Sequence, residues 1–356
     1  MVSPIISSIG KKCLGIDIGT SSIKIVEIIG FGKKKYLKNY AQYFLSEDEK
    51  EFQIFDPQNL IPNIEKTSEI LQTMFWKGNF KERKVLFSIP DFSTLFLIID
   101  LLPMPEKEIP AAVEFEARHQ IPLPLSDIVF DWMTIRKEKI GNMTKSKILL
   151  VVVPKNILET YQKIATLCNL NIIGIEAEIF ALLKSSVRNK NETVCLLDIG
   201  SKSTMLSLVE EKKLISSYSL EFGGNLLTSQ LSDILQISLK EAEKLKMEKG
   251  LFFEKKEVVD ILKIIISKFL KEVKKIILDF NNKNQKKCEK IIISGGLVLM
   301  PGFLEYLREN SEFSIEITNP FKEIVYPHIL KERLTNLSAF FGIATGLALS
   351  GIENIE

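Results

Sequence analysis

Two segments half a chain apart read the same way. Residues 13–28 are CLGIDIGTSSIKIVEI and residues 195–209 are CLLDIGSKSTMLSLV. In each, an apolar run ends in aspartate, turns through glycine and small hydroxyl residues, and resumes as a second apolar run. Asp17-Ile18-Gly19-Thr20 aligns with Asp198-Ile199-Gly200-Ser201, and Ser22 with Ser203. One such stretch alone is an ordinary hairpin turn, in which Asp and Gly are common. Two copies at this distance are too far apart for a solenoid, whose period is ~20–50 residues. They point to two similar domains, each opening with the same hairpin, and the chain's 356 residues suit that count.

A third element gives the pair a chemical meaning. Residues 290–304, KIIISGGLVLMPGFL, read as a buried strand running into Gly295-Gly296 and then a helix. Glycines at such a junction let a ligand approach the backbone, although a tight connection alone would also use them. Two facing hairpins can aim backbone N–H groups and hydroxyls at a polyphosphate from opposite sides. Asp17 and Asp198, at the strand ends, are placed to hold the hydration shell of Mg²⁺, which binds through few carboxylates. The Gly-Gly turn would pass beneath a nucleoside. Neither G-x-x-x-x-G-K-[ST] nor G-x-G-x-x-G occurs, so those nucleotide folds are disfavoured.

Other classes are excluded by composition. A net charge of +2 gives no electrostatic case for nucleic acid. No apolar run reaches the ~20 residues of a membrane span, and MVSPIISSIGKK lacks the layout of a secretory signal. Cys13, Cys168, Cys195 and Cys288 show no C-x-x-C spacing and read as buried free thiols in a reducing compartment. With only His119 and His328, neither a zinc site nor a Ser-His-Asp triad has support.

The order hairpin, hairpin, Gly-Gly resembles the actin-like ATPase superfamily, with its phosphate-1, phosphate-2 and adenosine motifs. Between the last two lie Gly223-Gly224-Asn225 and the segment 238–246, SLKEAEKLK, whose A-E-x-x-K pattern puts Glu243 and Lys246 on one helical face. The resemblance implies an α/β, two-domain actin-like (ribonuclease H-like) ATPase fold that binds ATP or ADP with Mg²⁺. Its ligands would be Gly19, Thr20, Ser21, Ser22 and Lys24 from the first hairpin, and Gly200, Ser201 and Ser203 from the second. Gly223, Gly224, Asn225, Glu243, Lys246, Gly295 and Gly296 would complete the nucleotide site. Asp17 and Asp198 would serve metal and chemistry, with Glu178 orienting the attacking water.

Between the motifs, apolar Leu60, Ile64, Ile70, Leu71 and Met74 predict a helix over 56–78. Strands are expected at 85–89, 95–101, 128–135, 148–153 and 172–175, with helices at 155–168, 258–280 and 337–349. Gly342 and Gly346 in the last have G-x-x-x-G spacing, read as close packing in a core. The segment 101–132, LLPMPEKEIPAAVEFEARHQIPLPLSDIVFDW, brackets a helix with prolines, with Pro110 in its first turn. It resembles the PilM family of type IV pilus assembly proteins, and so does IEAEIFAL at 175–182, except that Ile179 stands where proline is usual.

That resemblance implies a four-subdomain layout like the cell-division protein FtsA, with a 1C insert. The expected pieces are 1A at 1–38 and 154–190, 1C at 39–153, 2A at 191–225 and 285–356, and 2B at 226–284. It implies an ATP-binding cytoplasmic scaffold with at most weak hydrolysis. A groove flanked by helix 106–119 and the first-domain sheet would take the cytoplasmic N-terminal peptide of a PilN-like inner-membrane protein. That partner would recruit the scaffold to the inner membrane, with no direct insertion, and the protein would self-associate into rings or filaments. The competing readings are an FtsA-like division protein, another actin-like ATPase of a secretion or competence apparatus, and a sugar kinase. The acidic ending GIENIE is unlike the basic amphipathic helix expected of FtsA.

Overall fold

The computed structural model of the chain describes residues 10–45, 54–56, 61–284 and 286–354. Strands β1 (Lys11–Ile18) and β2 (Ser22–Phe31) form the first hairpin, with Asp17 opposite Lys24 and Ile18 opposite Ile23. Both are buried along most of their length, and such Ile- and Val-rich runs suit central strands covered on both faces. Next come β3 (Lys34–Phe44), α1 (Ile64–Lys77), capped by the Asn63 side chain, and β4 (Lys84–Ile89), which lies parallel to β1. A small unit follows: β5 (Leu95–Met104), α2 (Ile109–Gln120), β6 (Ile128–Ile140) and β7 (Met143–Pro154). Helix α3 (Lys155–Leu167), β8 (Asn171–Ala177) and α4 (Glu178–Ser186) return the chain to the first sheet.

The second half opens with the second hairpin, β9 (Thr193–Ile199) and β10 (Thr204–Glu210), followed by β11 (Lys213–Leu220). Helices α5 (Gly224–Leu235), α6 (Leu239–Lys249) and α7 (Lys256–Lys283) come next. The buried stripe of α7 runs Val258, Leu262, Ile266, Phe269, Val273, Ile277 and Phe280, at the spacing of one helical face. Then follow β12 (Lys290–Ser294), α8 (Phe303–Glu309), β13 (Ser314–Ile317), β14 (Ile324–Val325), α9 (Lys331–Leu337) and α10 (Gly342–Asn354).

Three sheets result, ordered β14-β3-β2-β1-β4-β8, β11-β10-β9-β12-β13 and β5-β7-β6. A shared apolar core lies between the two large sheets. It joins Cys13, Val26 and Ile28 to Val194, Leu196 and Ile292 through Ala181 and Leu182 of α4 and Ala344 and Leu347 of α10. The architecture is the expected actin-like one.

Several boundaries differ from expectation. The predicted helix 56–78 begins at Ile64, and Leu60 lies outside the described residues. The predicted helix 337–349 is two helices, broken at 338–341. The small sheet starts at Leu95, not near 39, because β3 and β4 hydrogen-bond within the first large sheet. Nor does everything after 285 stay with the second sheet: β14 pairs with β3, and α10 packs on β1. The glycines explain that return. A Cβ on Gly346 would lie 1.8 Å from the Ala181 carbonyl oxygen, and one on Gly15 would lie 2.0 Å from that of Ala344. Here G-x-x-x-G spacing serves close helix packing. Among the described residues no single helix is long and apolar enough to cross a membrane; the apolar pair His328–Leu337 and Gly342–Asn354 is bent by 119°.

Candidate nucleotide cleft

The two hairpins make the same turn. Gly19 N donates to Ser22 O at 3.0 Å, and Gly200 N donates to Ser203 O at 3.0 Å. The tips meet directly, with Thr20 Oγ1 and Ser201 Oγ 2.8 Å apart although 181 residues separate them in sequence. Around this contact lies a cleft of about 640 Å³, within the ~300–1,000 Å³ range of small-molecule sites. Every candidate residue named from the sequence lines it except Gly223 and Gly224. Those two stand directly behind the second turn. Gly224 N donates to Gly200 O (3.0 Å), Asn225 N donates to Ser201 O (2.8 Å), and a Cβ on Gly223 would lie 2.6 Å from Ser201 O.

Charge on the cleft floor is arranged in two groups. Asp17 accepts from Lys24 Nζ at 2.9 Å and from Ser88 Oγ at 3.1 Å. Burial alone would pull the Lys24 ammonium down, but the bonded Asp17, together with the charges of Asp198 and Glu178, holds it above its ordinary value. Glu178, Asp198 and Asp91 form the second group. Burial pushes the Glu178 carboxyl well up, and the charges of Asp17, Asp91 and Asp198 add to this. Asp198 is raised by burial, against the pull of Lys24. Burial and the Asp198 charge push Asp91 up to about 7. Asp91 and Glu178 are also bonded reciprocally: Asp91 N donates to Glu178 Oε2 (3.2 Å), and Ile179 N in the first turn of α4 donates to Asp91 Oδ1 (3.4 Å).

The far wall is made by α6 and the glycine pair. Lys246 is 3% exposed and donates to Gly224 O (3.1 Å), Thr228 Oγ1 (2.9 Å) and Glu243 Oε2 (2.5 Å). The A-E-x-x-K face is therefore locked behind α5, and not a solvated surface. Gly295 has φ +100°, and a Cβ there would lie 2.1 Å from Ile199 O, so a side chain is excluded on two grounds. Its N–H donates to Ala339 O (2.9 Å), which places Phe340 over Gly296.

Sequence reasoning missed Asp91, Ser88, Gln42 and the 337–340 segment, all part of this neighbourhood. Ser88 and Asp91 flank a proline after β4, a weak cue that gains meaning only once β4 is known to lie beside β1. No three His, Cys, Asp or Glu converge as a metal cluster among the described residues. Mg²⁺ still suits the donors present. Asp17 uses two of its roughly four lone-pair sites, and Mg²⁺ on a polyphosphate keeps most of its waters.

A second cavity, of about 810 Å³, lies beneath the small sheet. Its walls include Val129, Met133 and Val151 of that sheet, Phe180 and Leu183 of α4, and Lys212 from the β10–β11 turn. Helix α2 does not flank it. Ile109, Val113 and Ala117 pack on Ile128, Ile148 and Leu150, which alternate with the groove-lining positions and so face the other side.

The comparisons with known proteins agree with this geometry. A solved PilM–PilN type IV pilus biogenesis complex contains a chain that superposes with a TM-score of 0.80 at 20% identity, covering 96% of this chain and 98% of that one. MreB5 of Spiroplasma citri bound to AMPPNP superposes at 0.56 with 12% identity, covering 97% and 98%. The cell-division protein FtsA of Streptococcus pneumoniae serotype 2 is 22% identical over 64% of this chain; the chain spans 55% of that protein's length. The family model for type IV pilus assembly protein PilM matches residues 15–352. With the paired hairpins, the Gly-Gly turn and the small sheet all in place, this chain belongs to the PilM family of type IV pilus assembly proteins.

Proposed function

We propose that this protein is a nucleotide-binding scaffold of type IV pilus assembly. It holds ATP or ADP with Mg²⁺ between the hairpins and takes the cytoplasmic N-terminal peptide of a PilN-like inner-membrane protein in the groove under the small sheet. The observation that carries this reading is that one chain builds both cavities at opposite ends of β10: Ser203 and Met205 line the cleft, and Lys212 lines the groove.

In the cleft, the N–H groups and hydroxyls of turns 19–22 and 200–203 hold phosphate oxygens, and Lys24 supplies a positive charge. Asp17 and Asp198 accept from the waters of Mg²⁺, which when bound neutralises phosphate charge. Glu243, held in place by the buried Lys246, faces the ribose, and Gly295 and Gly296 leave room for the base. Burial and its acidic neighbours raise the Glu178 carboxyl well above its ordinary value, which disfavours the carboxylate form that would orient and activate a water. Turnover is therefore slow, below the ~1 s⁻¹ low end of ordinary enzymes.

In the groove, β6 is an edge strand, so its outer backbone groups can pair with an extended peptide while apolar side chains enter pockets beside Met133 and Phe180. The partner's membrane anchor then holds the scaffold at the cytoplasmic face of the inner membrane. A peptide ordered on binding gives micromolar affinity.

Calorimetry with Mg-ATP and with the peptide tests both halves. Asp198→Ala should abolish nucleotide binding and spare the peptide. Met133→Glu should weaken the peptide at least tenfold and spare the nucleotide. Reversing Glu116 and Arg118, on the far face of the small sheet, should change neither. No heat with millimolar ATP or ADP removes the cleft reading.

A further inference from the structure

Among the described residues lining the cleft, one buried side-chain acceptor has no hydrogen-bond partner. The first large sheet sets four polar side chains in a row: Ser88 on β4, Asp17 on β1, Lys24 on β2 and Gln42 on β3. Asp17 is opposite Lys24, and Lys24 is opposite Gln42. Directly opposed side chains share a face, with Cβ atoms about 5 Å apart. This face looks toward the second hairpin, and Asp17, Lys24 and Gln42 all line the cleft. Three members are bonded: Ser88 and Lys24 both donate to Asp17. The fourth is not, for Gln42 Oε1 is buried and accepts no hydrogen bond.

A buried acceptor without a donor destabilises the fold, and native structures keep few of them. An unpaired amide oxygen at this position calls for a reason beyond packing. The partner it lacks must be a donor. Phosphate oxygens are acceptors and cannot serve. Lys24 is adjacent, but its ammonium is directed at Asp17 and makes no bond to the amide. With the ribose hydroxyls and the base placed by α6 and the Gly-Gly turn, the donor that the ligand brings beside the hairpins is water on a divalent cation, polarised by the metal and donating outward.

We propose that Gln42 is a further binding residue of the cleft, its side-chain carbonyl accepting from the water shell of the cation that accompanies the polyphosphate. Asp17, two strands away in the same row, accepts from the same shell. The assignment rests on the reading of the cleft as a nucleotide site, and it makes a demand that reading does not: Gln42 contributes only when metal is present.

The test is calorimetric titration of wild-type protein, Gln42→Leu and Gln42→Glu with ATP, in Mg²⁺ and again in EDTA, alongside the thermal midpoint of each nucleotide-free protein. Gln42→Leu should bind Mg-ATP at least fivefold more weakly, bind metal-free ATP as wild type does, and melt no lower than wild type. Gln42→Glu, which keeps the acceptor, should retain the gain from Mg²⁺, and it carries the test if the leucine variant does not fold. Mg-ATP binding unchanged in Gln42→Leu overturns the assignment and leaves the nucleotide reading intact. Equal losses with and without Mg²⁺, or a lowered midpoint, make the residue structural and also overturn it. A wild-type protein that binds no nucleotide removes the underlying reading, and this assignment with it.

Discussion

Asp91 is the clearest case of a single residue whose behaviour follows from its surroundings. Its carboxyl is raised from 3.8 to about 7 by burial and by the charge of Asp198. The folded state therefore binds this proton more tightly than the unfolded chain. The resulting stability is complete below the unfolded value and is lost as pH rises through about 7. The thermal midpoint of the nucleotide-free protein should fall between about pH 5 and about pH 8. Asp91→Asn keeps an acceptor for Ile179 N–H but has no proton to lose, so it should flatten that slope; an unchanged slope in a pH series of melting curves would refute the account. Nothing in the run FSIPDFS announces this role. It arises because β4 lies parallel to β1 and delivers Asp91 to the start of α4. Gln42 is hidden for the same reason, since its neighbour Lys24 is fixed by strand pairing. The hairpin aspartates and Gly295 were legible because their chemistry is written within a few consecutive residues.

At the scale of elements, α10 is held by close approaches at its glycines. Gly346 meets the Ala181 carbonyl, and Gly351 meets the Cys13 side chain, where an added Cβ would lie 2.1 Å from Sγ. The Gly346 contact cannot be relieved by rotating a side chain, because the atoms met are backbone. Gly346→Val should cost at least ~3 kcal/mol, at the upper end of overpacking penalties, read as a shift in the urea midpoint at unchanged m-value. A shift below ~1 kcal/mol would mean that α4 and α10 can separate without loss. The G-x-x-x-G spacing showed that α10 packs closely. It could not show against what, and assigning the helix to the second sheet was the natural error for a segment that follows β12 and β13. Its split from α9 was also invisible, because 337–349 is continuously apolar enough to pass as one helix.

At the scale of the molecule, the two large sheets share one core that also takes in Ile135 and Leu149 of the small sheet, whereas the other face of the small sheet packs with α2 in a core of its own, built from Ile99, Val113, Ala117, Ile148 and Leu150. Polar contacts also tie the small unit to the second half: Arg136 to Glu210 at 2.5 Å, and Lys213 Nζ to Ile135 O at 2.9 Å. Regions with separate cores open separately. Amides of α2 and β5 should therefore exchange with solvent through a lower-energy opening than those of β1, β9 and β12. Identical protection across all of them would show a single cooperative unit. The shared core has a further consequence, one of timing. Strand β1 is synthesised long before α10, which covers its Gly15 and Cys13. At ~5–20 residues per second the opening strands spend some tens of seconds without that cover. Until α10 emerges, the nascent chain presents an Ile- and Val-rich sheet face that this helix has yet to shield, an exposure set by the order in which the pieces leave the ribosome.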